Sequence, residues 1–266
     1  MSGPRAAGDL LARYYDLDLE DDPGDLDLYL ALAARTGGPV LELAVGSGRL
    51  AVPLAEAGYE VTGVDMDPAM LDRARASWAR AADGVRGGRS GAGSLQLVEG
   101  DLVTLNLPQR FGLAFIALNS LFQVGPFERQ REAVASLARH LRPGGIAVVD
   151  VELPDAAELA SWDGRVVLDW IREDPEAAGS TVIRMSSARH DAVTASTQLS
   201  VIYDVTDPSG SVRRVSRSDR LHLLTAQQVE DLAVSAGLEV ELLAGDHQVT
   251  PLGPFSQRVV LIAVSL

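Results

Sequence analysis

The stretch LELAVGSGRL, residues 41–50, decides the fold. Its first half is an apolar run of the kind that forms a buried strand. Its second half breaks into Gly46-Ser47-Gly48 before apolar residues resume. Glycine lets the backbone turn sharply and approach a ligand without a Cβ in the way. Gly46 to Ala51 also fit the G-x-G-x-x-G/A pattern of ligand-binding loops that follow a strand. The stretch therefore predicts a strand, a ligand-binding loop and a helix.

Strand and helix patterns alternate around this loop, from residue 39 to residue 150. Strands are expected at 40–44, 60–64, 95–99, 111–118 and 146–151, and helices at 49–58, 68–82 and 128–141. Residues 83–94, rich in Gly and Arg, are expected to form a loop. The segment 111–118 is largely apolar, which is typical of a strand buried on both faces. This order predicts an α/β fold, Rossmann-like and doubly wound, with a mostly parallel seven-stranded sheet.

The pattern changes after residue 152. Four strand-like segments follow in succession, at 165–173, 180–190, 193–205 and 211–223, and they predict an inserted antiparallel β-sheet lid. A helix at 226–236 and strands at 238–244 and 258–264 complete the first fold. The expected domains are an N-terminal helical cap (1–38), a Rossmann-like core (39–152 with 225–266) and the lid (153–224).

The amino-acid composition of the chain limits the kinds of molecule that it is expected to bind. The 266 residues include 37 acidic and 23 basic side chains, a net charge of −14, which disfavours a nucleic-acid substrate. The absence of cysteine excludes disulfides, thiolate metal sites and a cysteine nucleophile. The sequence has no apolar run of about 20 residues and no signal-peptide pattern, so we expect a cytoplasmic protein without membrane contact. A homodimer is possible, and the sequence does not decide the oligomeric state.

The glycines alone do not choose the ligand, so the acidic residues around them matter. Asp65 ends the second strand, where a carboxylate can accept ribose hydroxyls of either NAD or S-adenosylmethionine (SAM). Glu42, in the first strand, suits a ligand with a cationic amino-acid end and would repel a pyrophosphate. A buried acid paired with Arg49 is the structural alternative for Glu42. Asp101 follows the third strand, where it could accept from an adenine amine or cap a turn.

With these residues in place, the sequence resembles the class I SAM-dependent methyltransferases. The resemblance rests on LELAVGSGR, VTGVDMDPAML, EGDL, ALNSL and LRPGGIAVVD, which occur in the family's order between residues 40 and 152. The resemblance implies transfer of a methyl group from SAM to a nitrogen, carbon or oxygen of a small molecule, such as a specialised metabolite, by direct displacement. S-adenosylhomocysteine is then the product. Ala44 departs from the family, since it stands where the first glycine is usual.

The resemblance also implies residue roles. Cofactor contacts are expected from Tyr15, Glu42, Ala44, Gly46, Ser47, Gly48, Asp65, Met66, Met70, Asp101, Leu102 and Asn119. Substrate contacts are expected from Tyr14, Asn119, Trp170 and Arg189. The N-terminal Tyr14-Tyr15-Asp16 segment resembles a cap that closes over SAM, and the inserted sheet resembles the substrate lid of amino-sugar or glycine-type N-methyltransferases.

The chemistry of methyl transfer needs orientation of the acceptor, and a base where the acceptor carries a proton. His247, Glu152 and His190 are the candidate bases, and no metal is expected. Asn119-Ser120-Leu121-Phe122 lacks the prolines of the base N-methyltransferases, which disfavours a DNA or RNA substrate. A SAM-binding protein without methyl transfer (a cyclase or a regulator) and an NAD-dependent oxidoreductase remain the alternatives.

Overall fold

The computed structural model describes residues 4–21, 23–86 and 93–266. Within them the chain forms two compact units, taken separately below. The larger unit comprises Asp22–Leu153 and Leu224–Leu266, and the smaller unit comprises Met1–Asp21 and Pro154–Leu223. Part of the expected loop at 83–94, residues 87–92, lies outside the described residues.

The larger unit contains a seven-stranded sheet. Its strands are β1 (Val40–Leu43), β2 (Glu60–Asp65), β3 (Ser94–Glu99), β4 (Phe111–Ile116), β5 (Leu141–Glu152), β10 (Leu238–Ala244) and β11 (Arg258–Ser265). Its helices are α2 (Leu26–Thr36), α3 (Ala51–Glu56), α4 (Pro68–Arg86), α5 (Ser120–Gln123), α6 (Phe127–Arg139) and α8 (Ala226–Ser235).

The strand order confirms the expected fold. From one edge to the other it is β3-β2-β1-β4-β5-β11-β10, with β11 antiparallel to both of its neighbours. Every residue of β1 and β4 is buried, as expected for apolar strands at the centre of a sheet covered on both faces. From the centre of the sheet, β1, β2 and β3 follow one another towards one edge, and β4 and β5 follow one another towards the other edge. Ligands of such sheets bind at the carboxyl ends of the strands where the order changes, here β1 and β4.

Local capping explains where several helices begin. The side chain of Asp67 accepts a hydrogen bond from the backbone N–H of Ala69, and Pro68 opens α4 without an unpaired N–H. Thr225 and Gln228 form a capping box at the start of α8. None of the helices described is both long and apolar enough to cross a lipid bilayer.

The smaller unit is built on the predicted antiparallel sheet. It contains α1 (Pro4–Asp18), α7 (Ala156–Ser161), β6 (Asp163–Glu173), β7 (Thr181–Asp191), β8 (Ser196–Thr206) and β9 (Val212–His222). The sheet order is β6-β7-β8-β9, and each neighbouring pair is antiparallel. Tyr14 and Leu17 of α1 pack against Val182, Val201 and Tyr203, which form the core of this unit.

Candidate functional site

The loop after β1 adopts the conformation that its glycines predict. Gly46 and Gly48 have φ angles of 55° and 87°, in the left-handed region that glycine enters without strain. A Cβ on Gly48 would lie 3.1 Å from Val52 and 3.3 Å from Ala74, so the loop also packs closely against α3 and α4. The backbone therefore turns tightly at the carboxyl end of β1.

Ala44 also lies in the left-handed region, with φ 61°. The family's usual glycine would adopt this angle freely, whereas an alanine Cβ crowds the following carbonyl. The sequence flagged Ala44 as a departure, and the structure shows that the departure is a strained backbone position.

We expect Ala44→Gly to raise the free energy of unfolding by roughly 0.5–1 kcal/mol, because relief of the left-handed strain exceeds the extra entropy of glycine in the unfolded chain. Denaturant titration measures this. Ala79→Gly is the control: Ala79 is exposed on the helical backbone of α4, where glycine is expected to lower stability by about 1 kcal/mol. A loss of stability in both variants would show that Ala44 is not strained.

Asp65 holds the same loop from the end of β2. One carboxylate oxygen accepts from the backbone N–H of Gly46 at 2.8 Å, and the other accepts from Asp67 at 2.9 Å. Burial raises the pKa of Asp65, and the backbone hydrogen bonds oppose that rise. Each oxygen has a further lone pair, so the carboxylate can still accept two hydroxyl groups.

Glu42 lies within β1 and is 4% exposed. Burial raises its pKa to about 8, and the charge of Arg49 lowers it only in part. Arg49 forms a two-pronged ion pair with the fully buried Asp25, at 2.6 and 2.7 Å. Glu42 Oε2 has no hydrogen-bond partner among the residues that the structure describes. A buried acceptor of this kind fits a cationic ligand group.

The expected adenine side of the site lies beside β2 and β3. Met66 is 71% exposed, so its side chain is free to pack on a ring, and Met70 and Leu102 are half-buried. Asp101 caps its own turn by accepting from Val103 N–H, and its second oxygen pairs with Arg129 at 2.5 Å. The ion pair was not foreseen from sequence, and a contact between Asp101 and adenine stays a prediction.

Asn119 lies just past β4, in an unusual turn. Leu118 and Asn119 have φ angles of 44° and 64°, two successive left-handed residues. Asn119 Oδ1 accepts from the backbone N–H of Glu152 at 2.7 Å. The turn is therefore tied to the carboxyl end of β5, where the Glu152 side chain is 55% exposed and one oxygen lies 3.4 Å from Arg258.

His247 is held between two acceptors. Its Nε2 lies 3.2 Å from Asp150 and its Nδ1 lies 3.3 Å from the backbone carbonyl of Pro23. A ring that donates at both nitrogens carries a positive charge. The hydrogen bond to Asp150 raises the pKa of His247 accordingly. This geometry fits a fixed cation, and the role of His247 as a base stays a prediction.

Sequence reasoning missed the partners of His247. Ligand-type atoms of Asp25, Asp150 and His247 lie within 4.8 Å of one another. Arg49 and Arg258 neutralise the two carboxylates, so we interpret the group as an ion-pair network rather than a metal site. Asp150, an acid inside the apolar run IAVVDV, was the available signal.

The remaining predicted residues lie in the smaller unit. Tyr14 is 3% exposed and packs on Tyr203, with ring centroids 5.4 Å apart. Trp170 donates to Asp18 at 3.2 Å and lies beneath Arg172. These contacts give both aromatic rings a packing role, and their expected contact with substrate stays a prediction.

Tyr15, His190 and Arg189 also belong to this unit. Arg217 lies over the ring of Tyr15, 5.8 Å from its centroid. His190 Nδ1 lies 3.0 Å from the hydroxyl of its cross-strand neighbour Thr197, and Arg189 is exposed on β7. No described contact separates a structural role from a chemical one for these three residues.

Comparison with known proteins identifies relatives. Residues 40–145 match the family described as a methyltransferase domain. The chain is 29% identical, over 77% of each chain, to dTDP-3-amino-3,4,6-trideoxy-alpha-D-glucopyranose N,N-dimethyltransferase of Streptomyces venezuelae. It is 26% identical to cypemycin N-terminal methyltransferase of a Streptomyces species, over 85% of this chain and 82% of the relative. The solved structure of DesVI from Streptomyces venezuelae aligns over 100% of both chains with a TM-score of 0.73 and 25% identity.

The matched region 40–145 contains the loop after β1 together with Asp65, Asp101 and Asn119. The antiparallel strand β11 within an otherwise mostly parallel sheet also differs from the all-parallel order of dinucleotide-binding domains. The strand order and the conformation of the loop after β1 are therefore consistent with the family match and with the relatives named above.

Proposed function

We propose that this chain, which is a SAM-dependent methyltransferase of class I, methylates an aliphatic amine of a small molecule. Its membership sets aside hydride transfer with NAD and a SAM-binding role without methyl transfer. The curated relatives act, by name, on an amino sugar nucleotide and on an N-terminus, and both acceptors are amines. Amine methylation is the chemistry that these two acceptors share.

The residues of the loop fit SAM. The unpartnered oxygen of Glu42 suits the α-amino group of its methionine end, and the free lone pairs of Asp65 suit the ribose hydroxyls. The exposed side chain of Met66 offers an apolar surface to adenine. When bound, SAM supplies a methyl group activated by the positive sulfonium.

The observation that supports an amine is the exposed carboxylate of Glu152, a residue whose backbone N–H is hydrogen-bonded to Asn119 in the turn after β4. An aliphatic amine is protonated at neutral pH and must lose a proton before it can attack. We propose that Glu152 attracts the ammonium group and accepts that proton. In this proposal Asn119 orients the nitrogen, and His247 stays a fixed cation.

A pooled-acceptor assay tests the proposal. The enzyme is incubated with SAM and with matched acceptors that present an amine, a hydroxyl or an activated carbon on the same sugar. We expect S-adenosylhomocysteine and one or two added methyl groups only with the amine. Methylation of the hydroxyl or carbon acceptor alone would refute amine specificity and leave the methyltransferase class intact.

The proposal also covers the substrate class and the location of the protein. We propose that the substrate is not a nucleic acid, because a chain with net charge −14 repels a phosphate backbone. We propose a cytoplasmic location, because SAM is made in that compartment.

We also propose that two copies of the chain pair through β6. This edge strand exposes Val166, Val167, Leu168 and Ile171 at 58%, 48%, 57% and 58%, an apolar concentration that native edge strands avoid unless they are covered. Antiparallel pairing about a two-fold axis at Val167 would set Val166 of each copy opposite Leu168 of the other. The exposed apolar side chains of the strand would then cover one another.

Sedimentation equilibrium tests this pairing. We expect the wild type to be a dimer and Val167→Lys to be a monomer, because the symmetric register brings the two new charges together. Val193→Lys is the control, since Val193 is 94% exposed at a turn of the same unit. A monomeric wild type, or a Val167→Lys variant that still dimerises, would refute pairing through β6.

A further inference from the structure

Two segments that hydrogen-bond to the buried residue Asp150 contain residues with left-handed backbone. Leu118, Asn119 and Val249 all have left-handed φ angles, and at Val249 the value is 58°. Branched residues such as valine rarely adopt this conformation, which persists only where surrounding contacts impose it. Leu118 and Asn119 form the turn after β4, and Val249 lies two residues after His247.

Asp150 supplies contacts that can impose the turn. Its carboxylate is fully buried and accepts from the backbone N–H of Leu118 at 3.3 Å, while its backbone carbonyl accepts from Asn119 N–H at 3.0 Å. The same carboxylate pairs with Arg258 and with His247. One residue of β5 therefore joins the turn after β4 to β11 and to the loop that follows β10.

We infer that Asp150, Arg258 and His247 form a positioning unit that fixes the Leu118–Asn119 turn, so that the Asn119 amide is presented to the methyl acceptor. This inference rests on the proposed function. Asp150 acts through the turn and touches neither the donor nor the acceptor. Arg258 and His247 keep the carboxylate charged and oriented, so a buried acid can carry its charge at this position.

The charges around His247 agree with this role. Asp150 and Asp25 favour its protonated form, and Arg258 opposes it. Burial would raise the pKa of Asp150, but His247 and Arg258 outweigh this effect and lower it. The unit is thus a buried carboxylate between two cations, and loss of the carboxylate charge leaves both cations without their shared partner.

Asp150→Asn tests the inference, because it keeps the shape of the side chain and removes its charge. We expect kcat to fall about 100-fold, the cost of a misplaced acceptor, with the dissociation constant of SAM changed less than about threefold. His247→Gln should lower kcat by about tenfold, since one cation remains. Arg258→Lys should retain more activity than Arg258→Ala. The exposed pair of Arg35 and Glu241 provides the control, and Glu241→Gln should leave kcat unchanged.

Several results would overturn the inference. Asp150→Asn with full kcat would do so, and so would equal loss of SAM affinity and kcat in all variants. Complete loss in His247→Gln with an active Asp150→Asn would make His247 the base instead. The nitrogen chemical shifts of the His247 ring need no acceptor: they should report a doubly protonated ring in the wild type and a neutral ring in Asp150→Asn. This signal separates a failed positioning unit from a failed choice of acceptor.

Discussion

Asp65→Ala is expected to weaken SAM binding by at least about 100-fold. The carboxylate would accept two ribose hydroxyls, and a hydrogen bond to a charged group contributes about 1.5–3 kcal/mol. Loss of two such bonds corresponds to roughly 3–6 kcal/mol, or about 100- to 10,000-fold in affinity. The backbone N–H of Gly46 would also lose its acceptor, which loosens the loop that faces the cofactor. Isothermal titration calorimetry with SAM measures the effect.

Asp72→Ala is the matched control, because Asp72 is an exposed acid on the neighbouring helix α4 that pairs with Arg75. It should bind SAM as tightly as the wild type. Asp65→Asn should fall between the two, since one amide oxygen replaces two carboxylate oxygens. Unchanged affinity in Asp65→Ala would remove Asp65 from the cofactor site.

The sheet and its loop were predictable from sequence because their signals are local. A fully apolar run such as FGLAFI indicates a strand covered on both faces, and Gly46 and Gly48 mark a turn in the left-handed region. Asp65 was expected at the end of β2 and lies there, whereas its contact with the ribose stays a prediction. Each of these signals lies within a few residues of the feature that it predicts.

The buried ion pairs were not predictable in the same way. Asp150 and Arg258 are 108 positions apart in the chain and meet only because β11 inserts antiparallel beside β5. Asp25 and Arg49 meet across 24 positions that include a strand. A sequence pattern shows that an acid interrupts an apolar run, but the sheet order decides which cation reaches it.

The same limit applies to the candidate base. His247 was expected to face the acceptor because it follows β10, and this stays a prediction, although its ring does contact Asp150 of β5. What sequence could not show is that both ring nitrogens meet acceptors, at Asp150 and Pro23. Position along the chain predicted the neighbourhood of this residue, whereas its chemistry depends on partners from distant segments.

Glu42→Gln is expected to stabilise the protein while it weakens SAM binding. The carboxyl pKa is about 8 in the folded chain against 4.5 for the ordinary group, so folding takes up a proton between these two values. The stability that the wild type has at acid pH therefore declines as the pH rises from about 4.5 to 8, and no further above 8. Near pH 7 the neutral glutamine should be more stable by on the order of 3 kcal/mol.

SAM should reverse this effect in the wild type. Its α-amino cation stabilises the Glu42 carboxylate, so binding at pH 6.5 should release close to one proton per SAM. Calorimetry in two buffers of different ionisation enthalpy measures the release, and Glu42→Gln should show none, with about 10- to 100-fold weaker binding. Glu56→Gln, at an exposed position of α3, is the control and should change neither property. A lower melting temperature for Glu42→Gln, or equal binding enthalpies of the wild type in both buffers, would contradict this role. Either result would indicate that the Glu42 carboxylate is already charged before SAM binds. Substitution of such a group would not raise the stability, and SAM binding would release no proton from it.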